Sequence, residues 1–175
     1  MPLSDIVQFP HFGPLEDLAL GLIRPLEAYV PGLKVQSIYE GMEIFSTPYV
    51  LVRRVPDAFV SGQFGEGEDR FLQRAALAVQ VITEDPEGDE KAAQLSELIR
   101  RLLLTAWWKQ TVVPRAGSIA KLKLLAPPHR VSDWATGTQV VQYATLPQEM
   151  HRYEAEYGLL IRPAEDAVPL ELFAE

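Results

Sequence analysis

Residues 70–108 read RFLQRAALAVQVITEDPEGDEKAAQLSELIRRLLLTAWW, and this stretch decides the fold. Between Arg74 and Thr83 the side chains alternate, with Leu77, Val79, Val81 and Thr83 on one side, the period of two of a β-strand. An acidic turn follows. From Pro86 to Trp108 the period lengthens. Leu95, Leu98, Ile99, Leu102, Leu103 and Trp107 recur every three or four residues, the stripe of an amphipathic helix over 86–108. Asp85 before Pro86 supplies a side-chain acceptor and a pre-set φ, the pair with which helices often begin. The corner between strand and helix carries carboxylates, a proline and a glycine, but no nucleophile.

Upstream, residues 14–30 place Leu15, Leu18, Leu22, Leu26 and Val30 at helical spacing. Pro25 must kink or split that helix because it lacks an N–H and crowds the preceding turn, and Pro31-Gly32 ends it. Residues 33–40 alternate as a half-buried strand, and the denser, β-branched YVLVRRV at 49–55 predicts a more central one. Residues 56–69, PDAFVSGQFGEGED, predict a long loop, a length usually kept for function. Downstream come extended pieces at 118–126 and 138–144. A final strand over 149–162 sets Tyr153, Ala155, Tyr157 and Leu159 against Arg152, Glu154 and Glu156, with a bulge expected at Gly158. The order predicts an α+β fold: a mostly antiparallel sheet packed on one face by two helices. Residues 1–13 read as an N-terminal extension, 14–162 as the domain, and 163–175 as a C-terminal tail.

With 175 residues, 47% hydrophobic and 23% charged, the chain has the balance of a single folded domain. A net charge of -8 argues against a surface built to neutralise phosphates. No cysteine is present, which removes disulfides and thiolate chemistry. The opening residues lack a basic segment followed by an apolar run, so no export signal is expected. The apolar cluster LLLTAWW is far shorter than the roughly 18 residues of a membrane span.

Reactive constellations are missing at motif spacing. Asp85, Glu87 and Asp89 mimic the opening of a calcium loop, but its sixth and twelfth positions hold Glu90 and Ser96 where Gly and Glu are needed. Carboxylates at a helix start are favoured by the helix dipole without any ion. His11, His129 and His151 lie far apart in sequence, so no metal site is expected from them. No serine stands in a G-x-S-x-G turn, and GQFGEG at 62–67 is acidic where a phosphate cradle must not be. A site converging from Asp133, His129, His151 and Tyr153 is the enzymatic alternative. No catalytic residue, cofactor or metal is assigned.

Three stretches carry a resemblance: TPYVLVRRVP, DRFLQRAALAVQVITED leading to AAQLSELIRRLLL, and LPQEMHRYEAEYGLLIRP. In these the chain resembles the tail-terminator (tail-completion) proteins of long-tailed bacteriophages, particularly those infecting actinobacteria. Pro147 and Arg152 stand further apart than the corresponding pair in that family. The resemblance implies a structural virion protein, assembled in the host cytoplasm. It would form a ring, usually hexameric, that caps the head-proximal end of the tail tube and joins tail to head. It implies no enzymatic activity and no membrane. The partners it implies are copies of the chain, the tail-tube protein and a head–tail connector or stopper, with DNA passing through the lumen without specific binding. The alternative is another connector ring of the neck, an adaptor or stopper. Candidate subunit or tube contacts are Arg53, Arg54, Phe59, Phe64, Arg70, Phe71 and Trp108, with Glu66, Glu68 and Asp69 as rim groups. Arg53 and Arg54, as strand neighbours, must point to opposite faces.

Overall fold

The computed structural model describes residues 14–37, 48–55, 73–84, 88–131, 150–162 and 164. Helix α1 (Pro14–Ile23) passes directly into a 3-10 turn (Arg24–Ala28). Pro25 is the reason: it sits at the start of the 3-10 segment, where its missing N–H breaks the α-helical ladder. Gly32, with φ of 75°, then turns the chain into β1 (Lys34–Ser37). The remaining elements are β2 (Tyr49–Arg54), β3 (Gln73–Glu84), α2 (Gly88–Trp108), β4 (Ser118–Arg130) and β5 (Met150–Arg162).

The strands form one sheet in the order β1-β2-β3-β5-β4. Every pairing is antiparallel except β1 with β2. The fold is therefore α+β with a mixed, mostly antiparallel sheet. β3 lies in the middle and pairs with β5 along its whole length, from Gln73 opposite Ile161 to Glu84 opposite Met150.

Both helices pack on one face, α1 against β1 and β2, and α2 across β3, β5 and β4. The core between them gathers Leu15, Leu18, Leu22, Ile23, Val50, Val52, Leu77, Val79, Val81, Ile99, Leu103, Ala155, Tyr157 and Leu159. The strand alternations anticipated from sequence supply this layer. On the other face Tyr49, Leu51, Ala78, Ile82 and Leu160 are buried as well.

Three sequence expectations are corrected. The buried stripe of α2 runs through Ala92, Leu95, Ser96, Ile99, Leu103 and Ala106, while Leu98 is exposed. Leu98 is turned by about 100° from Ile99, which faces the sheet, and so falls outside the stripe. Second, β4 does not stop at Ala126 but runs through Pro127 and Pro128 to Arg130, as an outer strand tolerates. Third, Gly158 holds regular register with Ala76 and Lys123. The irregularities lie in β4, between Ile119 and Lys121, Leu124 and Ala126, and Ala126 and His129. An outermost strand accommodates such extra residues where a strand held on both sides does not. The helical pattern over 14–30 is split at Pro25 as expected, the α-helix ending at Ile23 and the 3-10 turn following. The Asp85–Pro86 start, the 56–69 loop and the extended piece at 138–144 lie outside the described residues.

Candidate functional site

Position along β2 fixes where the paired arginines go. Val50 and Val52 face the helices, so Arg54 shares their side and Arg53 the other. Arg53 is engaged within the chain: its Nη2 lies 3.5 Å from Glu154 Oε1. Glu154 also accepts a hydrogen bond from Gln80 Nε2, its direct partner across β3 and β5. Gln80 and Glu154 are both buried, so this is a desolvated polar cluster on the sheet face away from the helices. Arg53 Nε has no hydrogen-bond partner among the described residues.

Arg54 is exposed and serves the other face. It stands near Glu16 of α1, whose carboxyl is pushed above its ordinary value mainly by burial, while the Arg54 charge partly offsets that rise. Thus the two arginines do point oppositely, and each meets an acid of its own chain.

The two edges of the sheet are unlike. At β1 the backbone groups of Val35 are already taken. Val35 N–H donates to Glu27 Oε1 at 2.7 Å, and Arg24 Nε donates to Val35 carbonyl oxygen at 3.2 Å. The 3-10 turn thereby closes the edge that an incoming strand would otherwise pair with. No periodicity in the sequence signals this; Arg24 and Glu27 merely flank Pro25. At the other edge, β4 extends for 13 residues. Exposed Lys121, Lys123 and Leu124 lie along its first half, and Pro127–Pro128 interrupt its ladder further on.

Helix α2 ends beside that edge. Successive residues on an α-helix are turned by about 100°, so the two tryptophans at its end separate. Trp107 packs against the core and donates its Nε1–H to the Ala120 carbonyl oxygen at 2.9 Å. Trp108 projects outward and is 88% exposed. Leu104, Thr105, Trp107, Trp108 and Lys109 line an apolar hollow of about 300 Å³. Val112, just beyond, is also exposed. Exposed tryptophan beside an apolar hollow is the composition of a protein-binding surface.

The opposite end of α2 is tied down by charge. Asp89 lies 3.5 Å from Arg130 and 3.6 Å from His151. Register places His151 and Tyr153 on the helix side of β5, whereas His129 pairs with Glu154 on the other side. The sheet therefore separates the histidines of the enzymatic alternative; Asp133 lies outside the described residues. Among the described residues no three His, Asp or Glu side chains gather as a metal-binding group, and no helix is long and apolar enough to cross a membrane. Phe59, Phe64, Arg70, Phe71 and the rim acids Glu66, Glu68 and Asp69 also lie outside the described residues.

No family model and no curated protein matches this chain.

Proposed function

We propose that the chain is a ring-forming structural protein that caps the head-proximal end of a phage tail tube and joins tail to head. The observation that carries this reading is the inequality of the two sheet edges. One is closed by Arg24 and Glu27, and the other is long and bordered by Trp108 and its hollow. A closed ring of identical subunits joins two different patches head to tail, and a subunit with unlike sides suits that geometry better than a two-fold dimer. The net charge of -8 suits a lumen past which DNA slides. The resemblance in TPYVLVRRVP and in the strand–turn–helix unit adds the identity of the tube.

The test mixes the purified protein with polymerising tail-tube protein and images the product by negative stain. The expected result is rings at one end of tubes whose growth has stopped. Tubes of unaltered length and ends, with capture by portal or connector protein instead, would assign the chain to another ring of the neck.

A further inference from the structure

The start of α2 and the far end of β4 meet at three ionisable side chains, Asp89, Arg130 and His151. Thr83 and His151 are partners across β3 and β5. The Thr83 hydroxyl donates to the Gly88 carbonyl oxygen. The His151 ring lies against Gly88, so closely that a Cβ there would meet its Cδ2 at 2.7 Å. This packing fixes the ring, and only 15% of the side chain is exposed. Its Nδ1 lies between two opposite charges. Asp89 Oδ1 stands 3.6 Å away and Arg130 Nη2 3.4 Å away. Arg130 Nε is 3.5 Å from the same carboxylate oxygen.

A single proton decides this arrangement. Without it, Nδ1 accepts from the Arg130 guanidinium and offers Asp89 nothing. With it, Nδ1 can only donate, which repels Arg130 and supplies Asp89. Asp89 Oδ1 is buried and has no hydrogen-bond partner among the described residues. An unmet buried acceptor is costly, so this oxygen is where such a proton is directed. Arg130 is 57% exposed, and ion pairs at that exposure hold weakly. Histidine is the side chain whose charge ordinarily changes between about pH 5 and 8.

Among the described residues, the charged groups facing the ring are Asp89 from α2 and Arg130 from β4. β3 presents Thr83, and Tyr153 is next on the same face of β5. Glu84, His129 and Arg152 belong to the opposite face by register. The strand end that Arg130 anchors is loosely laddered. Its pairing with β5 is irregular between Ala126 and His129, and beyond it Val131 N–H donates to the Arg152 carbonyl oxygen at 2.9 Å.

We propose that His151 is a proton-driven switch for the end of β4: a proton on Nδ1 moves Asp89 from Arg130 to His151 and loosens residues 129–131 from β5. The proposal is independent of the tail-tube reading.

Amide hydrogen exchange followed by NMR tests it. Exchange at Val131, corrected for its intrinsic rate, is divided by that at Val79 in the central strand, so that global opening cancels. The parent is compared with His151→Gln and with Arg130→Gln, a change at an exposed side chain that leaves the packed ring in place. In the parent the ratio is expected to rise about threefold or more between about pH 7.5 and 5.5, in step with the His151 ring signal. In both variants it should stay level across that range, and in Arg130→Gln it should already be high at the upper end. A ratio that does not move in the parent overturns the proposal. So does an equal rise in either folded variant, which would trace the loosening to another group.

Discussion

Gln80 and Glu154 face each other across β3 and β5, joined by a hydrogen bond inside a desolvated face of the sheet, with Arg53 closing on the same carboxylate. Truncating Glu154 removes at once the acceptor of a buried amide hydrogen bond and the acid facing a guanidinium, and losing a partner from a buried polar group is costly. Glu154→Ala is expected to lose about 3 kcal/mol in urea denaturation. Gln80→Ala combined with Glu154→Ala should cost less than the two single changes added, because the carboxylate and the amide depend on each other.

Tyr157 is fully buried, and its hydroxyl has no hydrogen-bond partner among the described residues. Burial pushes the phenol far above its ordinary value. Tyr157→Phe removes an unsatisfied oxygen and keeps the ring, so thermal melting should be unchanged or rise by the equivalent of about 1 kcal/mol. A loss of that size would mean that the hydroxyl is paired.

Acid titration should reveal two opposing carboxylates. Burial raises the Glu16 carboxyl above its ordinary 4.5, so its ionised form costs stability above the folded value. That cost disappears below the unfolded one. Glu16→Gln is expected to melt higher than the parent at pH 7 and equally near pH 4. Glu97 behaves the other way. Hydrogen bonds from Arg100, then Arg101, hold it down at about 2. Its contribution is full above 4.5 and is lost as pH falls towards 2, and at so exposed a site it should stay below about 1 kcal/mol.

Gly117 has φ of 112° and backs onto the Arg162 carbonyl and the Ala164 amide. A methyl group there meets backbone, which cannot swing aside, in a conformation side chains rarely adopt. Gly117→Ala should destabilise by about 3 kcal/mol or more, measurable in denaturant.

Glu27 occupies the outward N–H of Val35. Glu27→Ala should lose about 1 kcal/mol and, by opening the edge of β1, raise concentration-dependent aggregation in light scattering.

Period-two patterning made β2, β3 and β5 legible, because each carries Val, Leu or Tyr on a face that must be buried. The reach of β4 past Ala126 was not, since Pro127 and Pro128 read as breakers wherever strand position is unknown. Nor was the parallel pairing of β1 with β2, which the order of apolar residues does not encode. In the candidate site, the opposite aim of Arg53 and Arg54 followed from strand geometry alone. The Glu154 partner of Arg53 did not: it lies about a hundred residues away, as long-range register allows. The splitting of the tryptophan pair was legible: Trp107 continues the helix stripe and packs against the core, while Trp108 turns outward.

The central position of β3 sets a timetable for folding. Its partner on one side, β2, precedes it in the chain, but its other, β5, is the last described strand. Until residues 150–162 emerge from the ribosome, Leu77, Val79 and Val81 belong to a half-built ladder. Distant closures of this kind slow folding and leave sticky intermediates, so recombinant yield should depend strongly on synthesis temperature and chaperone supply.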